Sequence, residues 1–473
     1  MVVLTRFNAR AFLVTPLAIL WRAAVVAKLS LRHRAAPKGR HLLLVSWDFP
    51  PSSATGVHVP ASLVRYACAE GWQVSVVCAP APAVPSAGGV ALAECLPPIA
   101  TIHRVSSYLA TEHCVRLHPA WTLPDIDGGY LNAVALADKA FKALRHDPPS
   151  VIVASGPRFA NFLAARWLAR VFAARLVLHY RDEWTVNTPA FVQNTPRDRE
   201  EEALCLEQAD LASFVSEGKR DVYRAAFPHL DPAKLIVVPN GWEPYFHEKA
   251  QNTRRLPADA FTVSYTGRWH ASLATLLGAF TAALVRWPNT APRLLLVIVG
   301  NQLPENERLL AVFRARHTNH ILVLEATTQT AAIEIQRDSA ALLLINDHIY
   351  SGVVPLKTFD YLCSSRPILV FGRSGGAAEI VRSLGAGLSV SVDDPQAFGD
   401  ALIALLHQPA AWDTPARRAW CARHSRAVLF GSFFAAIDAL HRVPSPASDA
   451  ADADQAGFVK SGTVVRSDVV AHG

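Results

Sequence analysis

YSGVVPLKTFDYLCSSRPILVFG, residues 350–372, decides how the rest of the chain is read. It follows AALLLIN, residues 340–346, an apolar run with the composition of a buried strand. Pro355 has no N–H to lose and suits the first turn of a helix. Ser364-Ser365 closes that helix, and PILVF, residues 367–371, opens the next strand. Lys357 and Asp360 stand three apart and share one helical face. Backbone N–H groups at a helix start attract anions, and Lys357 adds a full positive charge there. Asp360, one turn on, offers acceptors that suit a ribose diol. The same spacing also describes a solvated Lys–Asp pair on an ordinary surface helix, and both readings stand at this level.

Outward from that stretch the pattern is strand, loop, helix, repeated. HLLLVS (41–46) is a strand, 47–56 a turn-rich loop, 57–70 a helix stopped by Gly71, and WQVSVVC (72–78) the next strand. This unit opens a doubly wound sheet, whose ligands collect at the carboxyl ends of the strands. The Pro/Ala/Gly stretch 79–98 is expected to be a loop. Strands follow at 101–105, 151–155, 175–180 and 211–216, with helices at 131–145, 158–173 and 196–209 between them. Pro239-Asn240-Gly241 is a sharp turn ending a first domain, 41–241, and the polar residues 242–258 read as a linker. A second domain, 259–410, opens with a strand at 261–266 and then Gly267-Arg268. Residues 411–443 are expected to be helical and to cross back to the first domain. Residues 444–473 are rich in Ala, Asp, Ser and Gly and are expected to be disordered.

Hydrophobic residues make up 51% and charged residues 18% of the 473, so the chain is globular and has the length for two cores. The net charge of +7 is local. Residues 1–40 carry eight Lys and Arg and no acid, so the remainder stands at −1, the difference between +7 and +8. A basic groove for nucleic acid is not implied. Residues 11–21 are apolar but contain Pro16 and are followed by Arg22 and Lys28, short of the about 20 residues a span needs. The segment 1–40 is expected to lie as a basic amphipathic helix on an anionic membrane surface. A docking helix or a disordered leader is the alternative. The seven cysteines are scattered, form no C-x-x-C pair and are expected to be free thiols. No H-E-x-x-H, Walker loop or His/Cys cluster is present, so no metal is expected.

The motif P-x-K-x-F-[E/D]-Y-L-x-x-x-R-P-I-L resembles the nucleotide-sugar loop of bacterial family-four glycosyltransferases. These are retaining enzymes with two Rossmann-like domains facing a cleft, the GT-B fold. S-G-P, an Ala-rich helix and then R-D-x-W after a strand resemble the same family's acceptor domain. The resemblance implies an α/β GT-B chain, with donor contacts at Gly267, Arg268, Gly352, Val354, Lys357 and Asp360. It places Gly56 and His58 in the first loop, facing substrate. Arg268 and Lys357 would stabilise the leaving diphosphate, and Glu379 would also face the nucleotide. His179 and Asp182, at the end of a strand, would serve the acceptor side, His179 tuned by Asp182 or Glu183. Read from the residues alone, His58 is equally a helix-surface residue, His179 a core histidine, Arg181-Asp182 a structural ion pair and Trp184 a packing residue. The chain departs from the family in five places: Asp360 and Gly352 stand where Glu is usual, Ala274 where Lys is usual, His179 where Asp is frequent, and the first loop has one glycine and no Arg.

The implied activity is transfer of a sugar from a nucleotide-sugar co-substrate, without cofactor or metal, to a glycan or lipid-linked acceptor. The implied setting is the inner face of the cytoplasmic membrane. A nucleotide-sugar epimerase of the same fold and a non-catalytic scaffold are the rival readings.

Overall fold

The computed structural model describes residues 39–52, 54–105, 130–186, 196–269, 273–346, 354–372, 375–408 and 412–442, with helical positions 24, 25, 27 and 29. Strands β1 (His41–Val45), β2 (Gln73–Cys78), β3 (Thr101–Arg104), β4 (Val151–Gly156), β5 (Arg175–Tyr180), β6 (Leu211–Phe214) and β7 (Leu235–Val237) form one sheet. Their order is β3-β2-β1-β4-β5-β6-β7, every pairing parallel. Strands β8 (Ala260–Thr266), β9 (Arg293–Val299), β10 (Ile321–Leu324), β11 (Ala341–Asn346), β12 (Ile368–Gly372) and β13 (Gly387–Val390) form a second parallel sheet. Its order is β10-β9-β8-β11-β12-β13. Each sheet reverses its order beside its first strand, at β1/β4 and β8/β11, and a crevice opens outside the carboxyl ends there. The molecule is thus the α/β pair of doubly wound units expected.

Both faces of the first sheet are covered, which is why β1 and β4 are buried at every residue and read as unbroken apolar runs. Leu43 and Val45 pack in the core beneath helices Tyr130–Leu144 and Ala160–Phe172. Leu42 and Leu44 face the other way, toward helices His58–Ala69 and Arg426–Arg442. The last helix arrives from the second unit and buries Phe430, Phe433, Phe434 and Ile437, all at 1% exposure or less. Each such side chain is worth about 1.5–3 kcal/mol, enough to fix the C-terminal crossover on the first sheet.

Two loops of the sequence reading turn out helical. Within 79–98, residues Ala87–Glu94 form a helix because Ser86 caps it, its Oγ accepting from Gly89 N at 3.1 Å. Within 242–258, Pro244–Lys249 form a short helix capped by Glu243. Phe246 and Ala250 pack with Val57 and Ala61 of the first unit and Ile333 of the second, so this linker is an apolar joint. In the N-terminal segment, Val25 and Leu29 lie one helical turn apart, each 5% exposed, in the first unit's core. Residues 1–23, 26, 28 and 30–38, Cys114 and the tail from 443 onward lie outside the described residues. Among the described residues no helix is long and apolar enough to cross a membrane.

Candidate active site

The second sheet's switch point holds the cations that the sequence singled out. Gly267 follows β8 with φ +114°, and a Cβ there would lie 2.9 Å from Lys357 Cε. Glycine supplies both the backbone angle and the room for Lys357 to lie across the end of β8. Lys357 is the second residue of helix Leu356–Cys363, which follows β11 across the switch point. Its Nζ donates to Tyr265 Oη at 2.5 Å and sits 3.9 Å from that ring's centroid. The Tyr265 hydroxyl donates onward to the Arg268 carbonyl at 2.7 Å. One phenol therefore fixes both the lysine and the backbone of the arginine, whose side chain is exposed. Gln302 ties the same loop down, donating to the Gly267 and Gly300 carbonyls at 3.0 and 2.9 Å and accepting from Trp269 N at 2.8 Å. Burial holds the Lys357 pKa down to about 7. An anion arriving there restores the charge.

Lys357 and Asp360 share a helix face but not an ion pair. Asp360 Oδ1 is 3.3 Å from His247 Nε2, and Oδ2 accepts from Gln329 Nε2 at 2.9 Å. Its carboxylate is thus oriented from both sides, by the linker helix and by helix Gln329–Asp338. The far end of the Lys357 helix is held by Arg417, which donates to the Tyr361 and Leu362 carbonyls at 2.8 and 2.7 Å. A cation at those last carbonyls also opposes the helix dipole. Val354 borders helix Gly376–Ser383, where a Cβ on Gly376 would lie 3.3 Å from Val354 Cγ2. Glu379 on that helix is exposed, and Gly352 lies outside the described residues.

In the first unit, a Cβ on Gly56 would lie 3.0 Å from Arg181 Nη1. Arg181 donates to the Gly156, Gly56 and Pro157 carbonyls at 2.9, 2.8 and 2.9 Å. It makes no hydrogen bond to Asp182, because each of its three nitrogens donates to a backbone carbonyl instead. Lys219 instead faces both Asp182, at 3.4 Å, and Glu183, at 3.2 Å. His179 is therefore not tuned by either acid. It is 1% exposed, its Nδ1 is 2.8 Å from Ser213 Oγ, and its ring lies 5.9 Å from that of Phe433. Burial, with Arg181 adding, holds its pKa to about 3, so the ring is neutral at physiological pH. Trp184 is fully buried, stacked 5.1 Å from Phe159.

His58 opens helix His58–Ala69 and is likewise kept neutral, its pKa held to about 4 by burial and by Arg426. Asp360 and Glu243 act on it in the opposite direction, which places His58 where the two units meet. Glu243 accepts from Ser62 Oγ at 2.5 Å and Tyr66 Oη at 2.9 Å and pairs with Arg65 at 2.9 Å. Burial alone would raise its pKa, but Arg426 and Arg65 more than offset that and leave it lowered.

Tyr265, Gln302, His247, Gln329, Glu243 and Arg426 went unread in the sequence. Tyr265 sits two residues before Gly267 but reads as one more strand aromatic. His247 and Gln329 meet Asp360 across 113 and 31 residues, a separation that leaves no local pattern.

Residues 54–241 match the family described as glycosyl transferase 4-like domain, and residues 260–408 match glycosyl transferases group 1. Together the matches cover every strand of both sheets except β1, and the chain belongs to the family-four glycosyltransferases. Solved structures share the fold at low identity. Anabaena HepE in complex with UDP and glucose is 13% identical with a TM-score of 0.57, over 85% of this chain and 100% of its own. Sucrose-phosphate synthase from Thermosynechococcus elongatus is 15% identical with a TM-score of 0.61, over 85% and 100%. Trehalose 6-phosphate synthase from Burkholderia multivorans is 14% identical with a TM-score of 0.59, over 86% and 99%. No curated protein sequence matches this chain.

Proposed function

We propose that this glycosyltransferase takes its sugar from a nucleoside-diphosphate donor bound at the β8/β11 switch point. The observation that carries the reading is Lys357 laid over Gly267, with Tyr265 joining it to Arg268. Lys357 and Arg268 face the diphosphate and stabilise the charge that develops as the glycosidic bond breaks. Asp360, held by His247 and Gln329, accepts from the ribose hydroxyls. Val354 borders the sugar, and Gly56 and His58 line the opposite wall. HepE, of the same fold, is described in complex with UDP and with UDP-glucose, which supports a nucleotide donor.

The transfer is proposed to retain anomeric configuration and to use no metal or resident cofactor, the cations taking the part of a metal at the leaving group. The acceptor is proposed to be a lipid-linked glycan of bacterial surface polysaccharide or glycolipid synthesis. The enzyme would then sit as a peripheral protein on the inner face of the cytoplasmic membrane, drawn there by the eight cations of residues 1–40. Val25 and Leu29 are buried in the first unit, so membrane contact falls to the rest of that segment.

The test is a panel of nucleotide-sugars incubated with purified protein, with and without membrane lipid extract. Release of nucleoside diphosphate that requires extract supports the reading. Donor turnover without acceptor identifies an epimerase, and nucleotide binding without turnover identifies a scaffold.

A further inference from the structure

Against the C-terminal end of the donor helix lies a cavity of about 330 Å³, whose wall includes His247, the neighbour of Asp360. Its lining includes Trp242, Arg417 and two cysteines, Cys363 and Cys421. Cys363 is the last residue of helix Leu356–Cys363, and Cys421 lies in helix Pro415–Arg423. The helices are already tied together by Arg417, one turn before Cys421, through its bonds to the Tyr361 and Leu362 carbonyls. Trp242 Nε1 donates to the Cys421 carbonyl at 2.7 Å, which fixes that turn from the interdomain joint. Both cysteines are free and neither is fully buried.

We propose that Cys363 and Cys421 form a dithiol site that a peroxide entering this cavity converts to a disulfide, with Cys421 attacking and Cys363 resolving.

The chemistry of the pair is asymmetric. The Cys363 thiol hydrogen-bonds to Cys421 and pulls the Cys421 pKa below its ordinary value, against burial and with Arg417 helping. Burial, and the loss of that hydrogen bond on ionisation, push Cys363 well up. The thiolate is the nucleophile, so Cys421 reacts first. Its sulfur attacks one oxygen of hydrogen peroxide, the O–O bond breaks, and the leaving hydroxide takes a proton to become water. Cys421 is left as a sulfenic acid. Cys363 then gives up its proton and attacks that sulfur. The S–S bond forms, the S–O bond breaks, and hydroxide leaves and takes the proton as a second water. Two thiols and one peroxide give one disulfide and two waters, the sulfurs losing two electrons and the peroxide gaining two.

Cys363 ends the helix that Lys357 and Asp360 occupy, so the crosslink ties the donor helix to the crossover. Resting on the donor-site reading, the oxidised and reduced forms are expected to differ in nucleoside-diphosphate affinity by at least about fivefold, reversibly with dithiothreitol.

The test uses the full chain, titrated with hydrogen peroxide, alkylated, digested and analysed by mass spectrometry. The expected product is a crosslinked peptide pair containing Cys363 and Cys421. Cys363→Ser is expected to stop at a sulfenic acid on Cys421 that dimedone traps, and Cys421→Ser to slow peroxide consumption at least about tenfold. In the unmutated protein, which needs no variant to fold, pulsed alkylation is expected to label Cys421 before Cys363. The site is overturned if both thiols stay alkylatable at peroxide doses that oxidise Cys95, or if Cys363 is labelled first. Unchanged UDP affinity in the crosslinked form overturns the coupling. A reduced protein that binds no UDP overturns the donor reading and the coupling, while the crosslink still decides the dithiol site.

Discussion

Both units place a glycine in the loop after their first strand and lay a cation against it, but the two cations have opposite fates. Arg181 touches Gly56 and donates to three backbone carbonyls. Lys357 touches Gly267, and of its three N–H groups one has a described acceptor, the neutral Tyr265 hydroxyl. The first cation is scaffold, because each of its three nitrogens already holds a backbone carbonyl in place. The second is half-buried, short of partners and close to losing its proton, which is the condition of a group waiting for an anion. A glycine-and-cation pair in sequence therefore does not identify a site until the partners of the cation are counted.

The largest effect is expected from Arg181→Ala, which strands three carbonyls. A loss of about 3–5 kcal/mol in unfolding free energy is expected, read by urea denaturation, with UDP affinity of the folded protein little changed. A stable variant that has lost UDP binding would reverse the contrast between the two cations. Lys357→Ala is expected to lower transfer at least about 100-fold, the order found on removing a charge-stabilising donor, while stability holds or rises because a desolvated amine is removed. Arg268→Ala is expected to behave alike in activity, and normal turnover in both variants would sink the donor assignment. Asp360→Asn keeps the shape and removes the charge, and a loss of about 1.5–3 kcal/mol in nucleotide affinity is expected by calorimetry.

The smallest effect is on pH. The free Lys357 amine has a pKa of about 7, and a bound diphosphate favours its charged form and raises that value. Below about 7 the amine is protonated in both states and affinity is flat. Above it, binding must take up a proton, so affinity falls by up to about tenfold per pH unit until the bound pKa is reached. Calorimetry at pH 8 in buffers of different ionisation enthalpy is expected to show proton uptake. Release, or no dependence on buffer, would mean that Lys357 does not face the phosphates.

The alternation of apolar runs with amphipathic helices determined the two doubly wound units, because strands buried on both faces have no choice but to be apolar and parallel strands need helical crossovers. The helix and strand within 356–372, and Gly267 and Lys357 as candidates, were legible for the same local reasons. The helix at Ala87–Glu94 was missed because a glycine-rich, proline-flanked stretch reads as loop until its Ser86 cap is seen to be used. The candidate site was legible in its charges and not in its partners. That Asp182 belongs to Lys219, that His179 is buried beneath Phe433, that Tyr265 joins Lys357 to Arg268 and that Asp360 is held by His247 and Gln329 were decided by tertiary structure alone. Local propensity is set by neighbours within a turn or a strand, whereas burial and the count of hydrogen-bond partners, which separate scaffold from site, are set by residues that the chain brings back from tens or hundreds of positions away.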